Sequence, residues 1–121
     1  MQKIIKIDPS LSLKDLADNV GSTPQAVWEI LCGATTQDYS LACALARQCY
    51  CFPKTLMFHR NKQIRHGVLI WVQAYTGIHK QSLCRYFKGL HVPKGKRRNV
   101  LAHFTGMSVQ EFEICNWFIN K

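Results

Sequence analysis

The feature that most narrows the fold is the spacing of apolar residues, which is helical along almost the whole chain. After residue 10 no run alternates apolar and polar residues with period two between turn residues, so the pattern predicts helices and no sheet. The exception is Lys3-Ile4-Ile5-Lys6-Ile7, short, β-branched and closed by Asp8-Pro9, which reads as an extended arm or edge strand over residues 1–10. With 47% apolar content in 121 residues, a packed core needs neither a metal nor disulfide staples.

Helix punctuation divides the rest. Leu13, Leu16, Ala17 and Val20 form one apolar face within residues 11–21, and Gly21 supplies the stop. A second helix opens on Ser22 or Thr23 as N-cap, with Pro24 at its first position, and runs to Gly33. Thr35-Thr36-Gln37-Asp38 has the form of a capping box opening a third helix through Leu41, Ala44 and Leu45.

This order, helix, three-residue turn, helix, loop, helix, resembles the lambda-repressor-like helix-turn-helix family. In that family's two-helix motif a small residue sits fifth, so that the helices cross closely, and glycine sits ninth, where the turn is left-handed. Counted from Leu13, Ala17 is fifth and Gly21 ninth, with Leu16, Val20, Val27 and Ile30 at the buried positions.

The frame recurs 56 residues later. Residues 21–58 overlay residues 77–114 without a gap, pairing Gly21 with Gly77, Gln25 with Gln81, Gly33 with Gly89, Leu45 with Leu101 and Ala46 with Ala102. Leu69, Val72, Thr76, Gly77, Ile78, Leu83 and Tyr86 fill the motif in the second copy, and Ser108-Val109-Gln110-Glu111 is a capping box before a last helix expected to reach Ile119. Gln73 departs from the pattern, standing fifth where a small residue is expected, so either the crossing is shifted or the helix register slips by one. The expected architecture is all-α: two tandem lambda-repressor-like helix-turn-helix units, residues 11–58 and 59–121, behind the short extended arm.

Charge separates the two copies. Residues 59–121 carry eleven Lys and Arg against Glu111 and Glu113, whereas residues 11–58 carry three bases against four acids; the whole chain is +9. A one-sided cationic half points to a polyanion partner. In copy two the outward stripe of the second helix is His79, Lys80, Gln81, Cys84, Arg85 and Lys88. Gln81 suits adenine and Arg85 suits guanine, each through two hydrogen bonds. The resemblance makes this the helix that enters the major groove, with His79, Lys80, Gln81, Arg85 and Lys88 reading bases. Pro93-Lys94-Gly95-Lys96-Arg97-Arg98 opens the next helix, where cations oppose the macrodipole and call for an anion. The resemblance places the DNA backbone there, so Ser82, Lys94, Lys96, Arg97 and Arg98 are expected to hold phosphates.

Copy one has Thr23, Pro24, Gln25, Trp28, Glu29 and Cys32 on the matching stripe. An acid there is repelled by a phosphate-lined groove, which makes this copy a scaffold or dimer contact, with Trp28, Glu29 and Trp117 as candidate protein contacts. The bland alternative for Trp28 is a place in the core. The last helix, apolar on more than one side through Phe112, Ile114, Cys115, Trp117, Phe118 and Ile119, either closes the gap between copies or pairs two chains.

The function expected is sequence-specific binding of double-stranded DNA by a transcriptional regulator, a repressor of phage, plasmid or bacterial type, with a homodimer as its working form. The alternatives are a protein-interaction module, an inhibitor or adaptor, and an RNA-binding protein, although no aromatic base-stacking platform is evident. Catalysis is not expected: carboxylates are scarce beside His59, His66, His79, His91 and His103, and no nucleophile elbow or phosphate loop occurs. No cofactor, metal or small-molecule ligand is evident. Cys49-Tyr50-Cys51 lacks the CxxC spacing of zinc loops, and the six cysteines read as thiols. Neither a membrane span nor a signal-peptide pattern is seen, which suggests a cytoplasmic protein.

Overall fold

The computed structural model describes residues 4–119, which form eight α-helices and no strand among the described residues. They are α1 (Leu13–Val20), α2 (Pro24–Leu31), α3 (Tyr39–Cys49), α4 (Pro53–Phe58), α5 (Val68–Thr76), α6 (Lys80–Phe87), α7 (Lys96–Thr105) and α8 (Val109–Ile114).

A shift of 56 residues carries α2 onto α6 and α4 onto α8 end for end, and α1 onto α5 and α3 onto α7 with the same final residue. The packing repeats as well. α1 lies against α2 and α3 as α5 lies against α6 and α7, and α3 meets α4 as α7 meets α8. Gly21 and Gly77 end the first helix of each set in left-handed conformations, φ 72° and 74°, where a Cβ is disfavoured.

Local caps explain most boundaries. Thr23 Oγ1 accepts from Ala26 N at 3.1 Å with Pro24 at the first helical position, as expected. The Ser108 box also forms: Ser108 Oγ accepts from Glu111 N, and Glu111 Oε1 accepts from Ser108 N. Two boundaries differ from the sequence reading. α3 starts after Asp38, whose Oδ1 accepts from Leu41 N at 3.1 Å, and Thr35 caps nothing. The preceding loop is held from elsewhere, since Thr36 N donates to Leu56 O and the Ala34 carbonyl accepts from Arg65. α8 stops at Ile114 because Cys115 is extended, and the chain then folds back so that Phe118 and Ile119 are buried while Ile114 stays 83% exposed.

That return closes the gap between the halves. The Phe118 ring lies 4.6 Å from Trp28 of the first half and 5.7 and 5.9 Å from Phe87 and Phe104 of the second. α1 also meets α7, and Trp71 Nε1 donates to Leu11 O at 2.9 Å. The expected internal role of the last segment is therefore met by its C-terminal turn rather than by a longer helix.

Among the described residues the N-terminal segment forms no strand. Ile5 and Ile7 are buried, Ile5 N donates to His66 O, and Lys6 N donates to Cys49 O, so the segment ties the halves together. A Cβ on Gly67 would stand 2.0 Å from Ile5 O, and φ there is 100°. Only glycine lets the segment lie this close. Residues 1–3 of the expected arm lie outside the described residues.

Arg65, in the basic stretch before α5, is 3% exposed. It donates to Ile30 O, His59 O and Ala34 O, each at 2.8 Å, so it answers carbonyls at the ends of both α2 and α4. Burial lowers its pKa, and the Cys51 and Cys49 thiols push back. Burial likewise raises Cys49 and Cys51, and burial with nearby Glu29 pushes Cys32 up to about 12, so these groups are protonated thiols at neutral pH. No helix among the described residues is long and apolar enough to cross a membrane.

Candidate nucleic-acid interface

α6 has an inner and an outer face. Leu83 and Tyr86 are buried, whereas Lys80, Gln81, Arg85 and Lys88 are exposed. At 3.6 residues per turn Gln81, Arg85 and Lys88 share one outward stripe, flanked by Ser82 on one side and Cys84 on the other. The helix start is doubly anchored. His79 Nδ1 accepts from Gln81 N at 3.1 Å, which leaves Nε2 as the ring's donor, and Gln73 Oε1 accepts from Lys80 N at 3.0 Å. Gln73 thus has a specific task in place of the expected small residue, and the register of α5 does not slip.

α7 supplies the second element. Its N-cap is Gly95, which has no side chain to satisfy the first amides, and its first turn begins Lys96-Arg97-Arg98 with no acid. Each cation there opposes the helix dipole by about 0.3–1 kcal/mol, and the amides left free favour an anion. Arg97 joins this end to α6: one guanidinium nitrogen donates to Tyr86 Oη at 2.9 Å and to Ser82 Oγ at 3.3 Å. Ser82, Arg85, Tyr86, His91, Val92 and Arg97 line one shallow depression of about 270 Å³.

The sequence-predicted residues divide accordingly. Ser82, Arg85 and Arg97 are brought together, and Lys80, Gln81 and Lys88 lie on the same exposed helix. Lys94 and Lys96 are exposed on either side of Gly95. Arg98 is turned to the other side of α7, with a guanidinium nitrogen 3.9 Å from Glu113 Oε1. It lines a different cavity, with Lys94, Phe112 and Glu113, so its expected place beside Arg97 is corrected by the helical rotation between adjacent residues. Among the described residues no carboxylate pairs with Lys80, Arg85, Lys88, Lys94, Lys96 or Arg97.

The protein-contact residues are also redistributed. Trp28 is 2% exposed, packed on Phe118 and 5.6 Å from the Phe87 ring of α6, so the idea that it meets a partner is corrected: it belongs to the core between the halves. Of the other α2 residues that match the α6 stripe, Cys32 is half-buried and Gln25 is exposed. Glu29 is exposed, and Trp117 is half-buried with its ring edge-on to Phe118.

Tyr86 and His91 were missed as members of the site. A readable signal existed for Tyr86, because a buried tyrosine ring needs a partner for its hydroxyl. Nothing local marked His91. The chain matches no family model, no curated protein and no solved structure.

Proposed function

We propose that the chain is a sequence-specific double-stranded DNA-binding protein of helix-turn-helix type, a transcriptional regulator acting as a repressor. In this reading α1 with α2 and α5 with α6 are the two helix-turn-helix pairs, and only α6 reads. The observation that carries it is the Arg97 contact with Ser82 and Tyr86, which sets the uncapped basic start of α7 beside an exposed helix stripe bearing Gln81, Arg85 and Lys88 and no acid. Groove-reading side chains next to an amide-rich, cationic helix end are the two parts a duplex needs, base edges for the one and phosphate for the other.

Gln81, Arg85 and Lys88, with Lys80 and His79 at the helix start, read bases. Lys94, Lys96, Arg97 and Ser82 hold the backbone. An exposed acid, Glu29, where α6 carries Arg85 supports one reader per chain, so a palindromic operator takes two chains. The protein-contact alternative loses its main residue with the burial of Trp28.

Selection of bound sites from a random duplex pool tests the reading, followed by titration of Arg85→Ala on the enriched site and on scrambled duplexes. Enrichment of one motif, with discrimination flattened in Arg85→Ala, is the expected result. A pool that emerges unenriched removes sequence-specific regulation.

A further inference from the structure

A groove of about 580 Å³ opens between the two halves, on the Cys84 side of α6. Its wall is aromatic: the half-buried rings of Phe87 and Trp117 pack on Trp28 and Phe118, which are each 2% exposed. Its exposed rim carries Lys62 and Lys88, and among the described residues no carboxylate lines it. Glu29, nearby on α2, faces solvent. The volume falls within the range of small-molecule sites, and the seam between two packed units is where such sites favour forming.

A cavity of about 440 Å³ beside α8 differs in charge, because its arginine, Arg98, already faces Glu113. The groove's two ammonium groups have no carboxylate partner among the described residues. Phe87 lies 5.6 Å from Trp28 and Trp117 lies 5.9 Å from Phe118, so the half-buried rings of Phe87 and Trp117 are the ones a planar guest reaches.

We infer that this groove binds a small aromatic anion, a planar ring system carrying one acidic group, with the rings against Phe87 and Trp117 and the acid between Lys62 and Lys88. An uncharged aromatic leaves the lysines unanswered, and a non-aromatic anion leaves the ring surface wet. Lys88 belongs to the groove rim and to the outward stripe of α6 alike, so the ligand competes with a duplex for one ammonium group. That consequence rests on the proposed DNA binding, whereas the site itself does not.

Titration of the full chain with anilinonaphthalene sulfonate and with its neutral counterpart phenylnaphthylamine, read by ligand fluorescence and tryptophan quenching, tests the site. Saturable binding of one sulfonate per chain is expected, about tenfold tighter than the neutral compound. Cys84→Trp, which fills the groove with the residue that copy one carries at the matching position, abolishes it. The Lys62→Gln/Lys88→Gln double variant, which changes only exposed side chains, removes the preference for the anion and keeps the test decisive if Cys84→Trp fails to fold. Equal affinity for the two compounds, or a preference that survives the double variant, overturns the site. In a second step the selected duplex is titrated with and without saturating sulfonate, and weaker duplex binding is expected. Unchanged duplex affinity overturns the competition alone, and failure to bind any duplex counts against the DNA reading while the fluorescence result stands.

Discussion

Arg97 and Arg98 are neighbours of identical chemistry that face different sides of α7, so the proposed DNA binding predicts different effects of removing them. Arg97 lies against Ser82 and Tyr86 beside the α6 stripe, while Arg98 points to Glu113 on the far side of α7. In the proposed reading the cations that meet phosphate are Lys94, Lys96 and Arg97. Three neutralised phosphates give a slope of log affinity against log salt of about −2.7, a loss of about 40-fold between about 50 and about 200 mM salt. Removing one contact in Arg97→Ala reduces the slope to about −1.8, so the same salt step costs only about 12-fold, whereas Arg98→Ala leaves the slope as it was. Fluorescence anisotropy of the selected duplex across this salt range measures all three proteins. The reasoning is refuted if the two variants shift the slope equally, or if the wild-type affinity is indifferent to salt.

Three further outcomes follow from the packing. Trp28→Ala, which empties the junction with Phe87 and Phe118, should destabilise by about 3–5 kcal/mol and lower Tm by more than about 10 °C, measured by thermal melting; a loss typical of a surface site would contradict its core role. Arg65→Met should cost at least about 3 kcal/mol in urea unfolding by stranding buried carbonyls, and Arg65→Lys should recover only part, because one ammonium cannot reproduce the guanidinium fork; full stability in Arg65→Met would count against the arrangement. Glu111 is held below its ordinary carboxyl value of 4.5 by the Ser108 backbone N–H first and by the Ser108 side chain second. Its contribution is accordingly complete above about pH 4.5 and is lost as pH falls through the lower folded value. The stability gap between wild type and Glu111→Ala should close on acidification, and a gap constant with pH would show that the carboxylate charge is idle.

Much of the architecture was legible before any coordinates. Gly21 and Gly77 mark turns whose backbone other residues adopt only with strain, and Thr23-Pro24 and Ser108 through Glu111 are local hydrogen-bonding devices complete within four residues. The 56-residue period came through for the same reason, since helix starts and stops are written in short segments. Where the sequence misled, a distant partner had intervened. Asp38 rather than Thr35 opens α3 because Leu56 and Arg65 hold the intervening loop, and α8 ends early because Phe118 has a place against Trp28.

The candidate interface divides along the same line. Helical spacing alone put Gln81, Arg85 and Lys88 on one side of α6, and composition alone concentrated the cations in the second half. Burial and long-range direction belong to the tertiary structure. It turned Trp28 inward, spent Arg65 on backbone carbonyls at the ends of α2 and α4, separated Arg97 from Arg98, and opened an aromatic groove at the seam. Periodicity and caps depend on residues a few positions apart, which a sequence displays directly, whereas the side a residue faces depends on what arrives from elsewhere in the chain to cover it.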